Sequence, residues 1–349
     1  MLKPVGIDVG YGYVKVFDGE DWISFPSVVG LAHETLGFAG LSNGARTRTM
    51  SITVDGQTYH VGELAMRQSA FAFRSLSQSR LEANEFKILF LTGLGLVTDR
   101  PAVSMHVVTG LPPGLLYQEK AVAQLLKGDH RVVLRLGKEI VERTLTVESL
   151  RILPQPMGTY LGEALDARGQ VKDEGLVYSR TALVDIGHGT TDLAIAEGGE
   201  YVPHLSRTLP VGLATAQAEV SDRLRRELGI VREAYQLDDA MVTGKLKVAG
   251  QVRDISAIRD QTYKSLATKI LTEVHSSWDV GAVDTILFTG GGSKALERFL
   301  LSQFPNARLV EPAQTANVRG YFTWAARATG NLPAGSSTTA ASAQGIHAR

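Results

Sequence analysis

The sequence predicts an α/β protein built from two related halves. Three observations carry that reading. Asp8-Val9-Gly10-Tyr11-Gly12 returns as Asp185-Ile186-Gly187-His188-Gly189, each time at the end of an apolar, strand-like run. A third glycine cluster, Gly290-Gly291-Gly292, stands between a strand-like run over 285–289 and a helical pattern over 294–304. Runs with the two-residue period of strands alternate with runs at helical spacing over most of the chain.

Length and composition bound the alternatives. The chain has 349 residues, enough for two domains, and 44% hydrophobic against 21% charged residues is ordinary globular composition. Lys+Arg and Asp+Glu each count 36, so no chain-wide basic surface for nucleic acid exists. The chain has no cysteine, which excludes disulfides, thiolate metal sites, iron–sulfur clusters and cysteine nucleophiles. No apolar run approaches the roughly 20 residues of a membrane span. The start of the chain lacks the pattern of a secretory signal, and the expected location is cytoplasmic.

Taken in order, residues 5–17 read as strand, tight turn, strand around Gly10-Tyr11-Gly12. Strand character continues over 22–29, with Pro26 as a break. Residues 31–48 are rich in Gly, Ser, Thr and Asn and read as a loop or mobile surface segment. Asp55-Gly56 between β-formers predicts a hairpin over 51–61. Phe86, Leu89, Phe90, Gly93 and Leu94 predict a helix over 84–97. A buried strand over 103–111 follows, ended by Pro112-Pro113-Gly114, then a helix over 120–126, a hairpin over 132–147 and a short separate strand over 150–153. A helix is expected after Pro154-Gln155-Pro156. Residues 183–196 repeat the opening pattern. Helices are expected over 217–228 and 263–278, the second with Tyr263, Leu266, Ile270, Val274 and Trp278 on one stripe. The Ala-, Ser-, Thr- and Gly-rich residues 331–349 are expected to be a disordered tail.

The chemistry of the repeat is readable from its residue types. Glycines at such turns let backbone N–H groups approach an anion closely, and an Asp at each strand end can hold a divalent cation through its waters. One D-x-G-x-G alone is also what a plain hairpin turn looks like; its recurrence argues for function. Asp185 to Asp192 is denser in polar groups than a core strand tolerates: Thr190 and Thr191 offer hydroxyls and Asp192 a third acid. The triple glycine makes a helix start with exposed amides, suited to a phosphate or sugar. Neither a Walker A loop nor a G-x-G-x-x-G fingerprint occurs.

These residues resemble the actin-like ATPase superfamily, which includes actin, DnaK-type chaperones, sugar kinases, and MreB- and ParM-type filament proteins. Its five motifs find counterparts in order. Gly6 to Lys15 looks like the first phosphate loop and Leu153 to Thr159 like the first connecting segment. Val184 to Ile195 looks like the second phosphate loop, Leu287 to Leu296 like the adenosine motif, and Ala316 to Tyr321 like the second connecting segment. The segments Ala316-Asn317-Val318-Arg319-Gly320, Pro154 to Thr159 and Val108-Thr109-Gly110-Leu111-Pro112 look most like the ParM/StbA-type plasmid-segregation and archaeal actin-like branch.

The resemblance implies an actin-like fold: two related domains with ribonuclease-H-like cores, each with a small subdomain, and a nucleotide in the cleft between them. Domain I is expected over 1–155 with a small subdomain about 32–80, and domain II over 156–330 with one about 206–262; the alternative is that a C-terminal helix returns to domain I. It also implies roles. Asp8 and Asp185 position Mg²⁺ through water. Amides of Gly10, Tyr11, Gly12 and Tyr13, and of Gly187, His188, Gly189 and Thr190 with Thr191, hold ATP or ADP phosphates; GTP is an alternative nucleotide. Lys15 neutralises phosphate charge, and Gln155 orients the attacking water. Gly290, Gly291 and Gly292 lie near the adenosine, and Asn317 lines the base pocket. The His188 side chain, at a place where relatives often have Gly, is given no catalytic role. Tyr11 and Tyr13 replace small polar residues, so the first loop is expected to bind phosphate through its backbone amides. Residues 219–250 offer Glu219, Arg223, Arg226, Lys245 and Lys247, with no spacing that selects a ribose ligand among them.

The function implied is a nucleotide-dependent, filament-forming ATPase driving plasmid or other DNA segregation. Its partners would be copies of itself, head to tail, and a DNA-binding adaptor at a centromere-like site, with no direct nucleic-acid or membrane contact. Two alternatives share the scaffold. A small-molecule kinase needs a catalytic Asp and a sugar-binding set; Gln155 and the short chain argue against it. A non-polymerising adaptor is favoured by a terminal amphipathic helix, but after Asn331 only Leu332 and Ile346 are large aliphatics.

Overall fold

The computed structural model describes residues 2–32, 49–69 and 84–330. It divides into two compact units: Met1–Glu174 with the chain from Asn317 onward, and Gly175–Ala316.

The first unit begins with β1 (Lys3–Val9), β2 (Tyr13–Phe17), β3 (Trp22–Pro26), β4 (Val29–Leu31), β5 (Met50–Val54) and β6 (Gln57–Val61). Then come α1 (Glu63–Gln68), α2 (Asn84–Leu96), β7 (Ala102–Leu111), α3 (Glu119–Leu126), β8 (Gly128–Leu136), β9 (Glu139–Pro154) and α4 (Gln155–Ala164). Its strands form one sheet in the order β3-β2-β1-β7-β9-β8-β5-β6-β4. β1 runs antiparallel to β2 and parallel to β7. Val5, Ile7, Val14 and Val16 are buried in one core with Phe86, Phe90 and Leu94 of α2. The fit is close: a Cβ at Gly93 would come within 2.7 Å of Val16, so glycine sits mid-helix despite its poor propensity. The predicted Asp55-Gly56 turn has both residues at positive φ, as a type I′ hairpin requires.

One sequence expectation is corrected here. The hairpin strand ending near 147 and the strand over 150–153 are a single 16-residue strand, β9. Met105 pairs with Val147 and His106 with Ser149, so exposed Glu148 is an extra residue taken up as a bulge. A charged residue inside an apolar run looks like a break in sequence; here it marks a bend in a continuous strand.

The second unit comprises α5 (Glu174–Tyr178), β10 (Arg180–Ile186), β11 (Thr191–Glu197), β12 (Glu200–Tyr201), β13 (Arg207–Leu209), α6 (Leu213–Leu228) and α7 (Asp238–Thr243). It continues with β14 (Lys245–Val248), β15 (Gln251–Asp254), α8 (Ser256–Ser277), β16 (Thr285–Thr289), α9 (Gly290–Leu300) and β17 (Ala307–Leu309). Its main sheet has the order β12-β11-β10-β16-β17, with β13 also on β11; β14 and β15 form a separate hairpin. The expected stripe is buried in full, Tyr263, Leu266, Ile270 and Val274 on α8 and Trp278 just past its end, against a core containing Val184, Val220 and Phe288. α6 ends where Gly229, in the left-handed region, donates its N–H to Arg225 and Ile230 donates to Leu224. α9 begins at Gly290 rather than near Lys294, so the triple glycine is the first turn of the helix.

The chain then enters α10 (Ala316–Thr329), which returns to the first unit. A Cβ at Gly6 of β1 would come within 2.6 Å of the Phe322 backbone, so glycine lets α10 lie on the sheet. The division falls at 174/175, where the sequence reading drew a boundary at 155/156. α4 stays with the first unit because side chains of α10 hold it. The expected tail and most of the expected loop over 31–48 lie outside the described residues, as does part of the range 32–80.

Candidate functional site

The two repeated segments fold into hairpins with the same register. In the first, Asp8 faces Lys15 and Val9 faces Val14. In the second, Asp185 faces Asp192 and Ile186 faces Thr191. Each turn is closed alike: Gly10 N–H donates to Tyr13 O at 3.1 Å, and Gly187 N–H donates to Thr190 O at 2.9 Å. Each first strand has a parallel neighbour on its other side, β7 for β1 and β16 for β10. The internal repeat is therefore structural, and Lys15 and Asp192 occupy equivalent places with opposite charge.

In the first unit three predicted residues meet. Asp8 is only 4% exposed. Lys15 Nζ lies 3.1 Å from its Oδ2, and Gln155 Nε2 donates to its Oδ1 at 3.2 Å. Both oxygens of a buried carboxylate are thereby engaged, which offsets its desolvation. Gln155 comes from a distant part of the chain, as the first residue of α4 where β9 ends. Tyr13 extends its side chain into solvent while Gly12 is buried.

Sequence reasoning missed Ser27. Its N–H donates to Gly12 O at 2.9 Å and its hydroxyl donates to Gly10 O at 2.6 Å. A single buried serine thus takes up two carbonyls of the first turn from behind. Nothing local to Pro26-Ser27 signals this. In the second unit a helix start does the same work. Leu213 N–H donates to Gly187 O at 3.1 Å and Ala214 N–H donates to His188 O at 2.8 Å. α6 can come this close because residue 212 is glycine; a Cβ there would be 2.6 Å from His188 O.

The remaining predicted residues divide by role. Thr191, expected as a hydroxyl donor to a ligand, is fully buried and its hydroxyl donates to Val211 O at 2.8 Å. Asp192 accepts from the Thr208 hydroxyl at 2.6 Å. His188, Gly189 and Thr190 are part-exposed on the turn. Gly290, at φ 84°, abuts Asp185: a Cβ there would overlap the carboxylate. Gly292 likewise abuts Ile186, whereas a Cβ at Gly291 would meet only Gln314 at an ordinary 3.5 Å. Two of the three glycines are therefore explained by packing the α9 start onto the end of β10. Asn317, expected in a base pocket, belongs to the first unit. Its Oδ1 accepts from the Thr159 N–H at 3.1 Å and from the Thr159 hydroxyl at 2.6 Å, tying α10 to α4.

Among the described residues no three of His, Cys, Asp and Glu gather into a metal-binding group. A cage of protein ligands is thus not built there. Single carboxylates such as Asp8 and Asp185 fit a magnesium ion that keeps most of its waters.

Two family models match the chain. Residues 6–158 match the N-terminal domain of actin-like proteins, and residues 183–302 match the C-terminal domain of the archaeal actin homologue MreB-like family. No curated protein matches the sequence. Among solved structures, the chain is similar to ParM in a 15-stranded filament from Clostridium botulinum, with a TM-score of 0.77, 24% identity, and 93% of this chain and 99% of that one covered. It is similar to the archaeal actin homologue Ta0583 in complex with ADP, with a TM-score of 0.74, 23% identity, and coverage of 94% and 100%. A Bacillus thuringiensis ParM with AMPPNP gives a TM-score of 0.72, 17% identity, and coverage of 94% and 99%. Fold and paired hairpins together define an α/β protein of actin-like architecture. Two actin-related domain models thus match the chain in order, an actin-like N-terminal domain over 6–158 followed by an archaeal MreB-like C-terminal domain over 183–302.

Proposed function

We propose that this chain is an ATPase that binds ATP with Mg²⁺ and forms filaments in the nucleotide-bound state, in the service of plasmid or other DNA segregation. The observation that supports the chemistry best is the meeting of Asp8, Lys15 and Gln155 at the first turn. Phosphoryl transfer asks the protein chiefly for positioning and charge stabilisation. Amides of residues 10–13 and 187–190 would hold the phosphates, helped by the fact that several carbonyls of both turns are bonded from behind. Lys15 would move from Asp8 to phosphate oxygens. Asp8 and Asp185 would hold the Mg²⁺ through its waters. When bound, that ion supplies charge neutralisation on the phosphates. Gln155 would orient the attacking water by hydrogen bonding; an amide has no useful pKa and is not a general base.

Self-association is supported by a neighbour solved as a ParM filament, and nucleotide binding by neighbours solved with ADP and AMPPNP. The zero net charge favours a link to DNA through an adaptor rather than by direct contact. The test is right-angle light scattering after addition of Mg-ATP, with phosphate release followed in parallel and Asp185→Ala as control. A nucleotide-dependent rise that is absent in the variant supports the reading and justifies electron microscopy. A flat trace over a wide concentration range, with ATP binding intact, removes polymerisation and leaves a kinase or adaptor.

A further inference from the structure

Gln155 and Thr159 stand four residues apart, one turn along the start of α4. Both residues bond to α10. The Tyr321 hydroxyl donates to Gln155 O at 3.0 Å, and Thr159 N–H donates to Asn317 Oδ1 at 3.1 Å. Asn317 and Tyr321 are themselves four residues apart, on one face of α10. Two helices are thus clamped residue to residue at the turn that carries Gln155.

The hydroxyl has a place built for it. Tyr321 is fully buried with Val108 and Ala325. A Cβ at Gly110 of β7 would overlap the tyrosine oxygen, so only glycine there leaves room for it to reach Gln155. A phenylalanine would fill the same apolar volume. The hydroxyl bonds the carbonyl of the residue whose side chain contacts Asp8. The α4 start has no side-chain cap hydrogen bond, with Pro154 as its N-cap residue.

We infer that Tyr321 is a positioning residue for Gln155. Through the Gln155 carbonyl it fixes the first turn of α4 and so aims the Gln155 amide at the reacting phosphate. This rests on the reading that Gln155 orients the attacking water. Small misplacement of such a group costs rate rather than binding.

The test uses the full chain with Tyr321→Phe, Gln155→Ala and the double variant, in single-turnover ATP hydrolysis below the assembly concentration. The expected result for Tyr321→Phe is a rate roughly tenfold to a hundredfold lower with nucleotide affinity unchanged. In the Gln155→Ala background the same change should slow nothing further, because the two residues act as a unit. A readout free of nucleotide is the Gln155 side-chain amide resonance, assigned by its loss in Gln155→Ala; it should move in Tyr321→Phe. An unchanged rate and resonance in Tyr321→Phe overturn the inference. So does a slowing of equal size in both backgrounds, or a loss of nucleotide affinity. If Gln155→Ala itself hydrolyses ATP normally, the reading of Gln155 falls, and this inference with it.

Discussion

Gly320 of α10 stands against the carbonyl of Gly158 on α4 so closely that neither residue has room for a side chain. A Cβ on Gly320 would overlap the Gly158 oxygen, and one on Gly158 would come within 2.7 Å of Asn317 O. Two helix backbones meet at this crossing, so relief by a rotamer change is not available. Gly320→Ala should therefore act as overpacking, at about 3 kcal/mol, the upper end of the usual range. Urea unfolding of the nucleotide-free chain measures it. A change within experimental error would show that the helices can separate at this point without loss.

The crossing is pinned by Asn317, whose Oδ1 accepts from both the amide and the hydroxyl of Thr159. Asn317→Ala leaves two buried donors without this acceptor. We expect a loss of about 1–3 kcal/mol in the absence of any nucleotide. Thr159→Val, which removes one of the two bonds, should cost about 1 kcal/mol. If Asn317 served only a base pocket, Asn317→Ala would leave apo stability intact and weaken nucleotide binding alone.

The glycine triplet supplies an internal control. Gly290 is at positive φ and abuts Asp185, while a Cβ at Gly291 would make only ordinary contact with Gln314. Gly290→Ala should strain the backbone and push the Asp185 carboxylate away, destabilising the chain by about 1–3 kcal/mol. Gly291→Ala should be close to neutral for stability, and alanine is the better helix former. Thermal unfolding of the two variants side by side distinguishes them. Equal destabilisation would mean that the helix start, not the contact with Asp185, sets the requirement for glycine.

How much of this was legible follows from how far apart the partners lie. The hairpins of β1 with β2 and β10 with β11 are local, and their apolar runs and glycines declared them. The Asp55-Gly56 turn and the α8 stripe were likewise written in short-range pattern. Ser27 was not, because it acts on carbonyls 15 and 17 residues earlier and looks like any serine after a proline. The α6 start behind the second turn was hidden for the same reason. The clamp on α4 joins residues 158 and 166 positions apart. Motif resemblance brought Gln155 and Asn317 into view, but a motif says which residues recur, not which atoms they hold. Thr191 shows the converse: a hydroxyl in a dense polar motif faces inward, because strand alternation after the turn sends it toward the core.

His106 provides a test in solution pH. It lies on β7 between Pro4 of β1 and Ser149 of β9, and its Nε2 is buried with no hydrogen-bond partner. Burial disfavours the imidazolium and lowers its pKa below the usual 6.5. The sign follows from proton counting. Above pH 6.5 both folded and unfolded forms carry neutral His106, so it contributes no slope. As pH falls below 6.5 the unfolded chain takes up the proton first, and the folded state loses stability until its own lowered pKa is passed. Replacing His106 with Phe removes that proton uptake. The variant should therefore lose less stability than the parent as pH falls from neutral through the region below 6.5, in urea unfolding at a series of pH values. Nuclear magnetic resonance should also show a histidine titrating below 6.5 in the parent that is absent from the variant. Parallel stability profiles for parent and variant would mean that His106 gains its proton in the folded chain as readily as in the unfolded one, and that solvent reaches the ring.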